Sequence, residues 1–134
     1  MFEFRKTNHG GSNVPVIKEY PTSASVVYPL GAAVAFSSGA LVLATGTTKP
    51  IGITMKAYTA PASGMLNIPI MLLDQTQEYK TTFAADASAN TEGTMVTLHT
   101  DALQVTATAT SGVFRILKKL GTGASGTSVI GRFE

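Results

Sequence analysis

The stretch VFRILKKLGTGASGTSVIGRFE, residues 113–134, decides what kind of fold this chain can adopt. Gly121, Gly123 and Gly126 spell G-x-G-x-x-G, which in a dinucleotide-binding fold follows a strand and opens a helix whose N-terminus faces the pyrophosphate. A strand, 113–120, does precede Gly121. After Gly126, however, eight residues remain, and TSVIGRFE alternates like a strand. No crossover helix fits there. The kinase-type glycine loop joins two strands, but it has a Val two residues after the last Gly, and here Val129 comes three after Gly126. The stretch therefore reads as two strands joined by a mobile glycine hairpin tip, with Lys118 and Lys119 marking a solvent-facing strand end.

The same reading extends upstream. Short β-type segments are separated by Gly, Pro and Ser: 32–36, then Ser-Ser-Gly, then 40–44 as a hairpin. The segment 51–59 sets Ile51, Ile53, Met55 and Ala57 against Gly52, Thr54, Lys56 and Tyr58, a half-buried strand. In 65–73, Leu66, Ile68, Ile70 and Leu72 share one side, and Pro69 points to an edge or a bulge. Segment 77–83 offers Tyr79 and Phe83 to a core, while Tyr20, Tyr28 and Tyr58 are candidates for exposure. Residues 84–93 form a polar excursion, and 94–99 and 103–110 are further strands. No 3.6-residue period with caps at both ends occurs. Turn signals every 8–12 residues predict an all-β fold, a small β-barrel or sandwich.

Residues 1–25 read as a flexible N-terminal arm, and 26–134 as the β-barrel or sandwich domain. The arm carries turn chemistry at Gly10, Gly11, Asn13, Pro15 and Pro21. Phe2 and Phe4 alternate with Glu3 and Arg5 at strand spacing, and 14–20 forms a short edge strand. Two fates are open to Phe2 and Phe4: anchoring the arm on a partner, or folding back onto the domain's own core.

Composition narrows function. The 134 residues suffice for one domain with a real core. With no cysteine, disulfides and thiolate metal sites are excluded. Charged residues are 13%, about half the usual share, so the surface suits a protein that spends its life packed against others. The net charge is +2, and the basic residues are scattered rather than gathered into a nucleic-acid face. No apolar run approaches the ~18 residues of a membrane span, and the N-terminus has no secretory h-region. The expectation is a soluble protein made in the cytoplasm, binding neither nucleic acid nor membrane.

Catalytic chemistry finds little purchase. His99 and Asp101 in LHTD share a strand face, but a strand-end His near a turn Asp is the commoner reason for that spacing. His9 lies in the arm. Asp74, Asp86, Glu92 and Asp101 lack calcium-loop spacing, and two distant His make a poor zinc set. We expect no catalytic residues, metal or cofactor.

The segment GAAVAFSSGALVLATGTTKPIGITMKAY, residues 31–58, resembles the decoration, or cement, proteins that bind the outside of tailed-phage capsids, where a G-x-L-V…T-x-x-P-x-G-I segment follows a flexible arm. The terminal SGVFRI…SVIGRF is similar to the closing strands of small β-barrel phage head proteins. The resemblance covers roughly residues 26–83 and, more loosely, the end. It implies a non-enzymatic protein of the virion exterior that joins capsomers, often as a trimer at local three-fold points, its arm adding a strand to the major capsid protein. Phe2, Phe4, Arg5 and Lys6 are then the expected capsid contacts, with Val14, Val16, Ile17 and Tyr20 extending that contact or pairing with a neighbouring subunit. The alternatives are another phage structural β-protein (tail tube, head completion or tail tip) and a carbohydrate-binding or hydrolytic β domain with a concave site of exposed aromatics or paired carboxylates.

Overall fold

The computed structural model describes residues 1–7 and 15–134. The described residues hold twelve strands: β1 (Glu3–Thr7), β2 (Ile17–Pro21), β3 (Val27–Tyr28), β4 (Ala33–Ser37), β5 (Ala40–Leu43), β6 (Gly52–Thr54), β7 (Tyr58–Thr59), β8 (Asn67–Leu72), β9 (Gln77–Thr82), β10 (Met95–Val96), β11 (Phe114–Lys119) and β12 (Ser128–Phe133). Helices are absent among them. β11 and β12 pair antiparallel from Phe114↔Phe133 to Lys119↔Val129, so residues 113–134 form the hairpin their alternation predicts. The hairpin lies inside a five-stranded antiparallel sheet of order β1-β9-β12-β11-β10. In β9 and β12 buried and half-buried residues alternate strictly, as expected when one face meets a core and the other meets water.

The second sheet runs β2-β8-β6-β4-β5. Its middle strands do not alternate: Ala33, Val34 and Ala35 of β4 and all three residues of β6 are buried. Both faces are covered. Ala33, Ala35, Ile53 and Met71 face the first sheet in one core, while Val34, Leu41, Ile68 and Ile70 pack with Tyr28 and Ala60 in a second core. The pair β3-β7 covers that second face. Tyr28 is fully buried rather than exposed; its hydroxyl donates to the Leu41 carbonyl and accepts from the Ser23 N–H, which satisfies a polar group that burial alone would penalise. A parallel bridge, Thr22↔Leu41, brings the outer strands of this sheet together at one end, but the sheet does not close. The fold is a sandwich rather than a barrel.

Several boundaries differ from the sequence expectation, for local reasons. The segment 51–59 breaks into β6 and β7 in different sheets, with a bend at 55–56. Its alternation is real, but the chain turns a corner between two cores. Pro69 lies in β8, between β2 and β6 rather than at an edge or bulge. The missing N–H is tolerable because Pro69 faces the end of the β6 ladder, where its carbonyl accepts from Met55 N at 3.0 Å. Residues 103–110 make only isolated bridges through Val105. Ser38 and Gly39, with φ of 50° and 82°, form the two-residue turn between β4 and β5, as both central residues of a type I′ turn need φ > 0.

Among the described residues of the first 25, β1 is a strand of the first sheet and β2 of the second. Phe2 is 3% exposed in the main core, 5.1 Å from the Phe133 ring and 5.7 Å from that of Phe114. Backfolding is therefore the fate Phe2 takes, because a large aromatic ring gains more from a dry core than from water.

Gly131 makes that cluster possible. A Cβ there would collide with the Arg115 carbonyl oxygen and the Phe114 ring. Gly131→Ala should therefore cost about 1–3 kcal/mol, the usual cost of overpacking. Gly121→Ala, whose Cβ would meet only the Thr127 side chain at 3.5 Å, should stay within about 0.5 kcal/mol. Urea unfolding midpoints distinguish the two; equal effects would show that Phe114 does not need the space above Gly131.

Candidate interaction surface

The glycine loop is occupied with its own chain. Gly126 N–H donates to Phe83 O at 2.7 Å, and Gly123 O accepts from Ala87 N at 2.8 Å. Lys119 Nζ reaches the carbonyls of Ser88 and Asn90 at 3.1 and 2.7 Å. A phosphate cradle needs backbone N–H groups converging on open space; here the loop and the polar excursion 84–93 hold each other. The tip read as mobile is thus tied down, and Lys119 closes the excursion rather than merely facing solvent. The excursion gave no periodic signal because it is held by single bonds from a distant hairpin.

At the LHTD segment, His99 Nδ1 lies 3.2 Å from Asp101 Oδ1. The same oxygen accepts from Leu103 N at 2.8 Å and Gln104 N at 3.2 Å. The carboxylate shapes a turn. That turn matters to the fold, since Ala102 O accepts from Ala33 N at 2.8 Å and Leu103 O from Thr81 Oγ1 at 2.7 Å. Tyr79, on the core face of β9, donates to Gln77 Oε1 at 2.9 Å; burial, with the nearby Asp74 charge, pushes its phenol well above the usual tyrosine range.

The sandwich has one stitched side and one open side. Gly46 and Leu98 exchange two backbone hydrogen bonds, 3.0 and 2.9 Å, and so join the β5 and β10 ends of the two sheets. The opposite ends are β1 and β2. Beside β1 lies an apolar groove of about 230 Å³, lined by Phe2, Phe4, Ile53, Met71 and Tyr79, with Met1, Leu30 and Met55 also along it. Met1, Leu30 and Met55 are partly exposed apolar side chains. Sequence reading missed Met1 and Leu30 because they come from the chain start and a turn, where no periodicity marks them, and it placed Met55 on the inner face of a continuous strand that in fact bends at 55–56.

The expected contact residues divide into three groups. Phe2 is in the core, and Phe4 packs against it at 5.9 Å from Tyr79. Arg5 and Lys6 are exposed, with Lys6 Nζ 3.8 Å from Oε1 of the half-buried Glu78, a surface pair worth about 0–1 kcal/mol. Val16 and Ile17 are 54% and 53% exposed, and Tyr20 is half-buried with its ring edge on Phe36 at 5.0 Å. Val14, like His9, lies outside the described residues. The structure does not gather these residues into one patch: the β1 members and the β2 members end different sheets.

Fold and surface together define an all-β, two-sheet sandwich with an open lateral side. No protein-family model matches the chain, and no curated protein matches it.

Phe2→Ala should lower stability by about 3–5 kcal/mol, the cost of removing a buried ring, whereas Arg5→Ala should change it by less than about 0.5 kcal/mol; thermal melting compares them. On the outer face of the first sheet, Glu134 is held by Arg115 and by Arg132, whose Nη2 is 2.8 Å from Oε1. Desolvation pushes the Glu134 carboxyl up, but the two arginine bonds and charges outweigh it and hold it below its ordinary 4.5. A depressed folded-state value means the contribution is present above the ordinary value and lost as pH falls through the folded one. The melting advantage of the native chain over Glu134→Gln should therefore be constant at neutral pH and close as pH drops below 4.5. A gap independent of pH down to full protonation would contradict the pairing.

Proposed function

We propose that this chain is a structural protein of a tailed-phage head: it binds the exterior of the mature capsid and reinforces contacts between capsomers. The reading rests first on the resemblance of residues 26–83 to capsid decoration proteins. The observation that carries it into the fold is the end of the second sheet, where Ile17 of β2 and the adjoining Val16 are exposed apolar residues. Exposed sheet edges bearing apolar side chains favour association by strand addition. The low charge of the chain, 13%, fits a surface that works against another protein.

On this reading the partner is the major capsid protein, the protein is located on the outside of the virion, and it carries no catalytic role or cofactor. A trimer at a local three-fold point is the favoured assembly. Contact is made by the solvent sides of the N-terminal segment, Arg5 and Lys6, and by Val16, Ile17 and Tyr20; Phe2 and Phe4 act from within, by fixing β1 in place. Many copies on a repeating lattice turn modest single contacts into strong collective reinforcement.

The test is to mix the purified protein with expanded, DNA-filled capsids and with unexpanded procapsids, pellet the shells and count bound copies. Saturable binding to expanded shells is the expected result, weakened about tenfold or more by Val16→Asp/Ile17→Asp, as two exposed apolar anchors are lost. Failure to bind either shell overturns the reading.

A further inference from the structure

The strands that end the two large sheets are not equally protected. β10 has two residues, and the chain after β5 is tied across to Leu98. β1 carries a register shift between Phe4 and Lys6 and exposes Glu3, Arg5 and Lys6; bulges and edge charges turn strand addition away. β2 runs in unbroken register with β8, from Ile17↔Met71 to Pro21↔Asn67.

The free groups of β2 follow from its ladder. Leu72 N–H donates to Val16 O at 2.8 Å, so Val16, Lys18 and Tyr20 turn their backbone groups to β8. The N–H and C=O of Ile17 and Glu19 then point away from β8, while at the far end of the strand the Thr22↔Leu41 bridge already sets β5 beside Pro21. Pro69, opposite Glu19, turns its carbonyl away from β2 to Met55, as this alternation requires.

Self-pairing is disfavoured on this edge. Two copies joined antiparallel by a two-fold axis must set one residue opposite its own copy. Centred on Lys18 or Glu19, the pair opposes like charges directly. The missing N–H groups of Pro15 and Pro21 weigh on any partner alike, but a strand with an acidic residue opposite Lys18 and a basic residue opposite Glu19 meets no like-charge penalty.

We propose that β2 is the receiving edge for one extended strand of a different protein, with an acidic residue opposite Lys18, a basic residue opposite Glu19, and apolar residues opposite Val16, Ile17 and Tyr20. Every strand ladder among the described residues is antiparallel, parallel pairing being confined to the isolated bridges Thr22↔Leu41 and Phe83↔Val105, and an antiparallel strand of that chemistry reads apolar-basic-acidic-apolar-apolar. The inference rests on the preceding reading only for the source of the strand, a capsid protein.

The probe is the capped peptide Thr-Val-Lys-Glu-Val-Val-Thr, compared with its charge-swapped form Thr-Val-Glu-Lys-Val-Val-Thr, each titrated into the labelled full chain and followed by amide NMR. The first should shift the Ile17 and Glu19 amides saturably, and the second should bind about tenfold more weakly, since two cross-strand charge pairs reverse. Lys18→Glu/Glu19→Lys should invert that preference. Ile17→Pro removes an outward N–H without touching the β8 ladder, and should abolish binding while leaving circular dichroism unchanged. Absence of binding by both peptides, shifts centred on β1 instead, or a preference unmoved by the charge-swapped protein each overturns the proposal. Peptide binding without binding to shells keeps this inference and removes the capsid reading.

Discussion

Phe133 sits within 5.1–5.5 Å of three other rings, those of Phe2, Phe114 and Tyr79. These rings come from β12, the N-terminal segment, β11 and β9, so one cluster fastens the chain's two ends to the middle of the first sheet. Aromatic pairs of this geometry add about 0.5–1.5 kcal/mol each beyond the area they bury. Facing them, the second sheet presents Ala33 and Ala35, small enough for the layers to approach where the rings are large. Gly131 carries the same logic within the first sheet, where the Phe114 ring fills the space a side chain would need.

From that packing the open side follows. Because Phe2 belongs in the core, β1 must lie at the end of the first sheet, on β9. Because the second sheet has a core on each face, most residues of its central strands are spent on packing, with Phe36 of β4 the exception at 44% exposed, its ring against Tyr20 of β2. The stitch between Gly46 and Leu98 ties the β5 and β10 ends of the two sheets together, and the Thr22↔Leu41 bridge brings one end of β2 to β5.

The two polar excursions, 84–93 and the glycine loop, form a structural unit of their own. Lys119 gives its ammonium to two carbonyls of the excursion, and Gly123 and Gly126 adopt φ of 89° and 83° so that their backbone groups can meet Ala87 and Phe83. A pattern shared with nucleotide-binding loops here solves a different problem, the satisfaction of backbone groups in a long connection.

Strand against helix, the hairpin at 113–134, the turn at Ser38–Gly39 and the burial of Tyr79 and Phe83 were determined by the sequence alone, because period-2 alternation and turn chemistry act between residues a few positions apart. The candidate surface was legible only in part. Val16, Ile17 and Tyr20 stood out as an edge segment next to Pro15, while Met1 and Leu30 carried no local mark and Met55 was marked for the inner face of a strand. What tertiary structure alone decided was which alternating segments are sandwiched on both faces, that 51–59 turns a corner into two sheets, that Tyr28 is buried, and that Phe2 packs inward. Each of these depends on which distant residue occupies the other side of a strand, and a chain's local pattern is the same whether that side meets a second core or water.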